Sequence, residues 1–127
     1  MMITAIYAAL LGFLLIILSA RVINMRRSSQ ISTGSADNEQ LTRMVRAHAN
    51  FTEYVPICLI LIASIDFNGF VPDWGVHILG VLLLLGRAMH AYGLSDSMVS
   101  YRVRGMVLTL TILFLASAIN LIGVILN

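Results

Sequence analysis

Two long stretches of this chain carry no charge, and two shorter ones cannot avoid it. Ile3 to Ala20 and Gly105 to Leu126 each run without a charged residue. As helices rising ~1.5 Å per residue, both are long enough to cross a hydrocarbon layer of about 30 Å. Between them lie two shorter uncharged runs, one between Glu53 and Asp66 and one between Asp73 and Arg87. As helix these cover only about 18–20 Å, which is too short to span. Each must therefore continue through its charged neighbours. The second segment takes in Arg43, Arg46, Asn50 and Glu53, and the third takes in Arg87 and His90. Ionisable groups at that depth are costly and face a bundle interior or a wet cavity. The pattern predicts an all-α fold, an integral membrane four-helix bundle in one domain over 1–127. Its helices are expected near 3–25, 41–65, 74–94 and 103–126.

Composition excludes the soluble alternatives. Of 127 residues, 59% are apolar and 11% charged. A soluble domain is about half apolar and about a quarter charged, and a chain this short could not hide such a surplus in its own core. The lone cysteine, Cys58, rules out a disulfide scaffold. Every basic residue is arginine. The arginines sit beside or inside apolar runs rather than forming a basic stripe on a polar surface, so nucleic acid is not an expected partner. The first segment lacks a basic leader, and Leu18-Ser19-Ala20 is a poor cleavage site, so it reads as a span.

The linkers agree with four spans. Ser28 to Asn38 is polar, with Asp37 or Asn38 placed to cap the second helix. Phe67 to Asp73 holds Asn-Gly and a proline, and Ser95 to Ser100 forms the third loop. Arg26, Arg27, Arg43 and Arg46 flank the first loop, and Arg102 and Arg104 flank the third, whereas the second has only Asp66 and Asp73. The positive-inside bias then puts loops one and three in the cytoplasm and both termini on the other side. The expected setting is a bacterial inner membrane, crossed several times.

On a helical wheel of about 100° per residue, Arg43, Arg46, Asn50, Glu53 and Tyr54 share an arc of about 100°, while His48 points away. Arg87 and His90 share a face of the third helix. On the fourth, Arg104, Leu108 and Thr111 share a face and Arg102 points elsewhere. Glu53 and Arg87 lie at similar depths by residue count, so an ion pair between them is expected. No Ser-His-Asp set, glycine-rich phosphate loop or metal-ligand spacing is present, so metal is not expected. Several arginines with one carboxylate and one amide suit a small, multiply charged anion. Arginine forks hold its carboxylates, and Glu53 could hold an ammonium group.

The run Arg46-Ala47-His48-Ala49-Asn50-Phe51-Thr52-Glu53-Tyr54-Val55-Pro56 resembles the R-x-x-x-N-x-x-E-[YF]-x-P signature of the MAPEG family. These are the membrane-associated proteins of eicosanoid and glutathione metabolism. Arg26-Arg27 at the end of the first helix, Gly86-Arg87 with His90 in the third, and Arg104 opening the fourth extend the resemblance over nearly the whole chain. The resemblance implies a homotrimer that binds glutathione between subunits and takes lipophilic small-molecule electrophiles from the lipid. It gives Arg46, Asn50, Glu53 and Tyr54 the role of holding glutathione, adds His90 and Arg26, and makes Arg104 the catalytic cation that stabilises the thiolate. By position alone, Arg26 is a membrane-edge anchor. Where family enzymes often carry tyrosine, four residues beyond His90 and four beyond Arg104, this chain has Leu94 and Leu108. Three readings stay open. They are a glutathione transferase or peroxidase, a proton-coupled transporter of the small multidrug type that uses Glu53, and a non-catalytic scaffold of the same fold.

Overall fold

The computed structural model describes residues 2–126. Met1 and Asn127, the ends of the expected domain, lie outside the described residues. Among the described residues four helices follow one another: α1 Thr4–Ser29, α2 Glu39–Asn68, α3 Asp73–Ser95 and α4 Val99–Leu126. All four are long and apolar enough to cross a membrane. The charged segments are therefore continuous helix, as the span arithmetic requires. Local chemistry sets their ends. Asn38 caps α2, its Oδ1 accepting from the Leu41 N–H at 2.9 Å. Gly69 ends α2 in the left-handed region, at φ 65°.

The helices run past the expected bounds by four residues in two places, at the end of α1, which continues to Ser29, and at the start of α4. The expected loop Ser95 to Ser100 shrinks to Asp96–Met98, because the Met98 N–H bonds back to the Gly93 carbonyl at 2.8 Å and α4 begins at Val99. Arg102 thereby moves from a loop flank into the first turn of a helix.

α3 is the most enclosed helix and forms its most extensive contact with α4. Glycine permits this. A Cβ on Gly105 would collide with the backbone of Gly86 and His90, and one on Gly93 with the backbone of Arg102. Small residues let membrane helices approach to backbone distance, where dispersion and weak polar contacts hold them. The buried stripe of α4 runs Gly105, Thr109, Ile112 and Ala116. That alternation of three and four residues keeps one face against α3. The outward faces of α1 and α4 remain apolar and exposed, with Phe13 at 65%, Phe114 at 72% and Val124 at 71%. An aqueous protein rarely leaves apolar surface of that extent open, and these faces belong to helices apolar enough to cross a membrane.

Interhelical polar contacts close the end that carries the chain termini. The Thr4 N–H and hydroxyl both donate to Asp66 Oδ2, at 2.7 and 2.9 Å. The Tyr7 hydroxyl meets His77 Nδ1 at 2.8 Å, and its ring lies over Gly80, where a Cβ would strike it. Asn120 Nδ2 donates to the Leu61 carbonyl at 3.0 Å, tying α4 to α2.

Candidate functional site

At the other end, the charged stretch of α2 faces the glycine seam of α3 and α4. Arg46, Ala49, Asn50 and Glu53 of α2, His90 and Leu94 of α3, and Arg102 of α4 line a cleft of about 310 Å³. That volume lies at the lower end of the range for small-molecule sites, about 300–1,000 Å³. Arg46, Glu53 and Arg102 are exposed along its rim, while His90 is buried in its wall. The spacing of three and four residues that put Arg46, Asn50 and Glu53 on one arc puts them on one side of the cleft.

Two hydrogen bonds behind the lining settle what it can offer. His90 Nδ1 lies 3.0 Å from the Arg102 carbonyl oxygen. A carbonyl only accepts, so in the neutral ring the proton sits on Nδ1 and Nε2 is left as an acceptor. The seam makes this contact possible, since a side chain at Gly93 or Gly105 would push α4 away. The second bond comes from Arg87, whose Nη2 donates to Asn50 Oδ1 at 2.7 Å. Its Nη1 donates to the Thr109 hydroxyl at 3.3 Å, and its guanidinium carbon lies 5.8 Å from the centre of the Phe51 ring.

The expected Glu53–Arg87 ion pair is absent. Arg87 is fully buried and points into the bundle toward Asn50 and Thr109, whereas Glu53 is exposed on the rim. Counting residues found the depth of the two groups, but depth leaves the azimuth free, and Asn50 is the α2 residue that meets Arg87. Among the described residues the recorded salt bridge is Arg43–Glu39, 3.3 Å, on the surface of α2.

Of the residues singled out in the sequence, Arg46, Asn50, Glu53 and His90 come together in the cleft. Three do not line it in a single chain. Tyr54 is half-buried beside it, Arg104 is exposed on α4, and Arg26 donates from Nη1 to the Gly34 carbonyl at 2.8 Å in the first loop. His48 meets the Ser19 hydroxyl of α1 at 3.1 Å, on the side that the wheel assigns it. Arg102 is the lining residue that sequence reasoning set aside. Its signal was present in the buried stripe of α4, because three residues before Gly105 on that stripe is Arg102.

The cleft brings two arginine side chains, an amide and one carboxylate to its rim and wall, with Arg87 behind the amide. Such a set favours an anion that also carries an ammonium group. The sequence profile of the MAPEG family matches residues 4–122, which hold every element of this site. The chain belongs to the MAPEG family. Among curated proteins it is similar to the inner membrane protein YecN of Escherichia coli, in strain K12 and in O6:H1 strain CFT073. In both cases 36% of residues are identical over 120 residues, covering 94% of this chain and 91% of the relative.

Proposed function

We propose that this MAPEG protein binds glutathione in the cleft between α2, α3 and α4, and that it does so in a bacterial inner membrane as a homotrimer. The observation that carries this reading is the charge pattern of the lining. Arg46 and Arg102, from two different helices, line one cleft with Glu53 and Asn50. Glutathione carries two carboxylates and one ammonium group. The two arginines and the Asn50 amide match the carboxylates, and Glu53 matches the ammonium. The positive-inside bias puts both termini outside the cytoplasm and the cleft at the cytoplasmic face. Family resemblance supports the trimer, in which the cleft opens toward a neighbouring subunit. Arg26, Tyr54 and Arg104 join the site through that assembly.

The reaction supported best is attack by the glutathione thiolate on a lipophilic electrophile that enters from the lipid. The thiol is a poor nucleophile until it loses its proton, and a neighbouring cation lowers its pKa. Arg102, which lines the cleft, is assigned the thiolate-stabilising role in preference to Arg104. His90 Nε2, left as an acceptor by the bond to the Arg102 carbonyl, is the base we assign to take the proton. The sulfur then forms a bond to the electrophilic carbon as its leaving group departs, which is conjugation. With a hydroperoxide, the sulfur takes the terminal OH as the O–O bond breaks, giving a sulfenic acid, and the departing alkoxide takes the proton held by His90 and leaves as the alcohol.

A second reading, binding without catalysis, is favoured by Leu94. It brings an apolar side chain to the cleft wall, where family enzymes often have a tyrosine hydroxyl.

One titration separates these readings. The purified protein in detergent is titrated with glutathione while heat of binding and ultraviolet thiolate absorbance are recorded. The first reading expects binding with a thiolate signal that Arg102→Ala abolishes and Arg104→Ala keeps. Binding without the signal supports the second. An absence of binding overturns both and returns attention to Glu53 as a proton-coupling carboxylate, testable by efflux from vesicles.

A further inference from the structure

Arg87 is a cation placed where cations are expensive. It is fully buried within a membrane-spanning helix, and among the described residues no carboxylate forms an ion pair with it. Its Nε has no hydrogen-bond partner. The Thr109 hydroxyl, which accepts from Nη1, spends its own proton on the Gly105 carbonyl at 2.8 Å. The shortest bond that the guanidinium makes is to Asn50, at 2.7 Å, and Asn50 lines the cleft.

A guanidinium has donors and no acceptor. Whatever faces it from Asn50 must be the carbonyl oxygen. The side-chain amide is planar, so fixing its oxygen also fixes its nitrogen. Without Arg87 either end of the amide could turn toward the cleft. An anionic ligand is held by one end and repelled by the other.

We propose that Arg87 is a positioning residue: it holds the Asn50 side chain with its oxygen inward, so that the Asn50 N–H donors face the ligand carboxylate. This deepens the glutathione reading and rests on it. Arg87 touches no ligand and acts through Asn50.

The test is a binding cycle with glutathione as the probe, on the purified full-length protein in detergent, with the melting temperature recorded for each variant. Asn50→Ala and Arg87→Met are each expected to weaken binding by about tenfold, the scale of one hydrogen bond to a charged group. Because Arg87 acts through Asn50, the double variant should lose about the same tenfold rather than the product. Arg87→Lys keeps a donor for the Asn50 oxygen and should retain most of the binding.

Asn50→Asp is decisive if Arg87→Met fails to fold. A carboxylate gives Arg87 a charged partner, so the melting temperature should hold or rise. The same change strips the cleft of its N–H donors and adds a negative charge, so binding should fall further than in Asn50→Ala. A purely structural Arg87–Asn50 contact predicts instead that Asn50→Asp binds like the wild type. That result, losses that multiply, or unchanged binding in Arg87→Met would overturn the proposal and leave the glutathione reading standing. A wild-type protein that takes up no glutathione would overturn both.

Discussion

The two ends of this bundle use polar residues in opposite ways. At the end carrying the chain termini, Thr4 meets Asp66, Tyr7 meets His77, and Asn120 meets the Leu61 carbonyl. Each contact joins one helix to another, and donor finds acceptor within the chain. At the two-loop end, Arg46 and Glu53 of α2 and Arg102 of α4 line a cleft, and Arg87 is buried behind it with no carboxylate ion pair among the described residues. Both ends carry charge, so charge alone does not mark a site. Closure does. A polar group whose bonds are completed inside the protein is a clasp. One that is positioned but left open is available to a ligand.

This contrast can be broken most forcefully at Gly105. Gly105→Ala puts a methyl group into the backbone of α3. Overpacking of this kind costs typically about 1–3 kcal/mol and sometimes more. The helices must part, so the melting temperature and glutathione binding are expected to fall together. Arg46→Ala acts on the open end alone. It removes a charged contact to the ligand, and affinity measured by calorimetry should drop on the order of tenfold to a hundredfold, with little change in melting temperature. Asp66→Ala is its mirror image. The Thr4 N–H and hydroxyl both lose their acceptor, at a cost of about 1–3 kcal/mol seen as a lower melting temperature, while glutathione affinity is unchanged. Smallest is Tyr7→Phe, which deletes one interhelical hydrogen bond. Such bonds in membrane bundles average about 0.6 kcal/mol, so a small fall in thermal stability is expected, again without effect on binding. If Asp66→Ala weakened glutathione binding at constant stability, the division between clasp and site would fail.

The open end was the more legible of the two in the sequence. Arg46, Asn50, Glu53 and His90 stood out because the second and third spans are too short without their charged residues. The spacing of Arg46, Asn50 and Glu53 then fixed a common face. Spacing within one helix says nothing, however, about which neighbour that face meets. Glu53 and Arg87 were matched by depth, yet Asn50 is the α2 residue that meets the guanidinium. Arg102 was missed for a different reason. Ser95 to Ser100 holds serines and an aspartate typical of a loop, but a single backbone bond from Met98 to Gly93 closes the turn early. The extra helical turn brings Arg102 onto the Gly105 stripe. Its neighbour Arg104, two residues on, faces outward. The Thr4–Asp66 and Tyr7–His77 clasps were invisible, since each joins residues 62 or 70 positions apart and neither pattern repeats along its own helix.

The glycine seam has a mechanical consequence. Where two helices touch backbone to backbone, no rotamer change can ease them apart, so α3 and α4 move as one body. Leu94, His90 and Arg102 are carried on that body. Arg46, Asn50 and Glu53 are carried on α2, which meets it through side chains. The cleft is thus a vice with the α3–α4 pair as one jaw and α2 as the other. The Arg87–Asn50 bond joins the two jaws, and the separation it sets bounds what can be gripped.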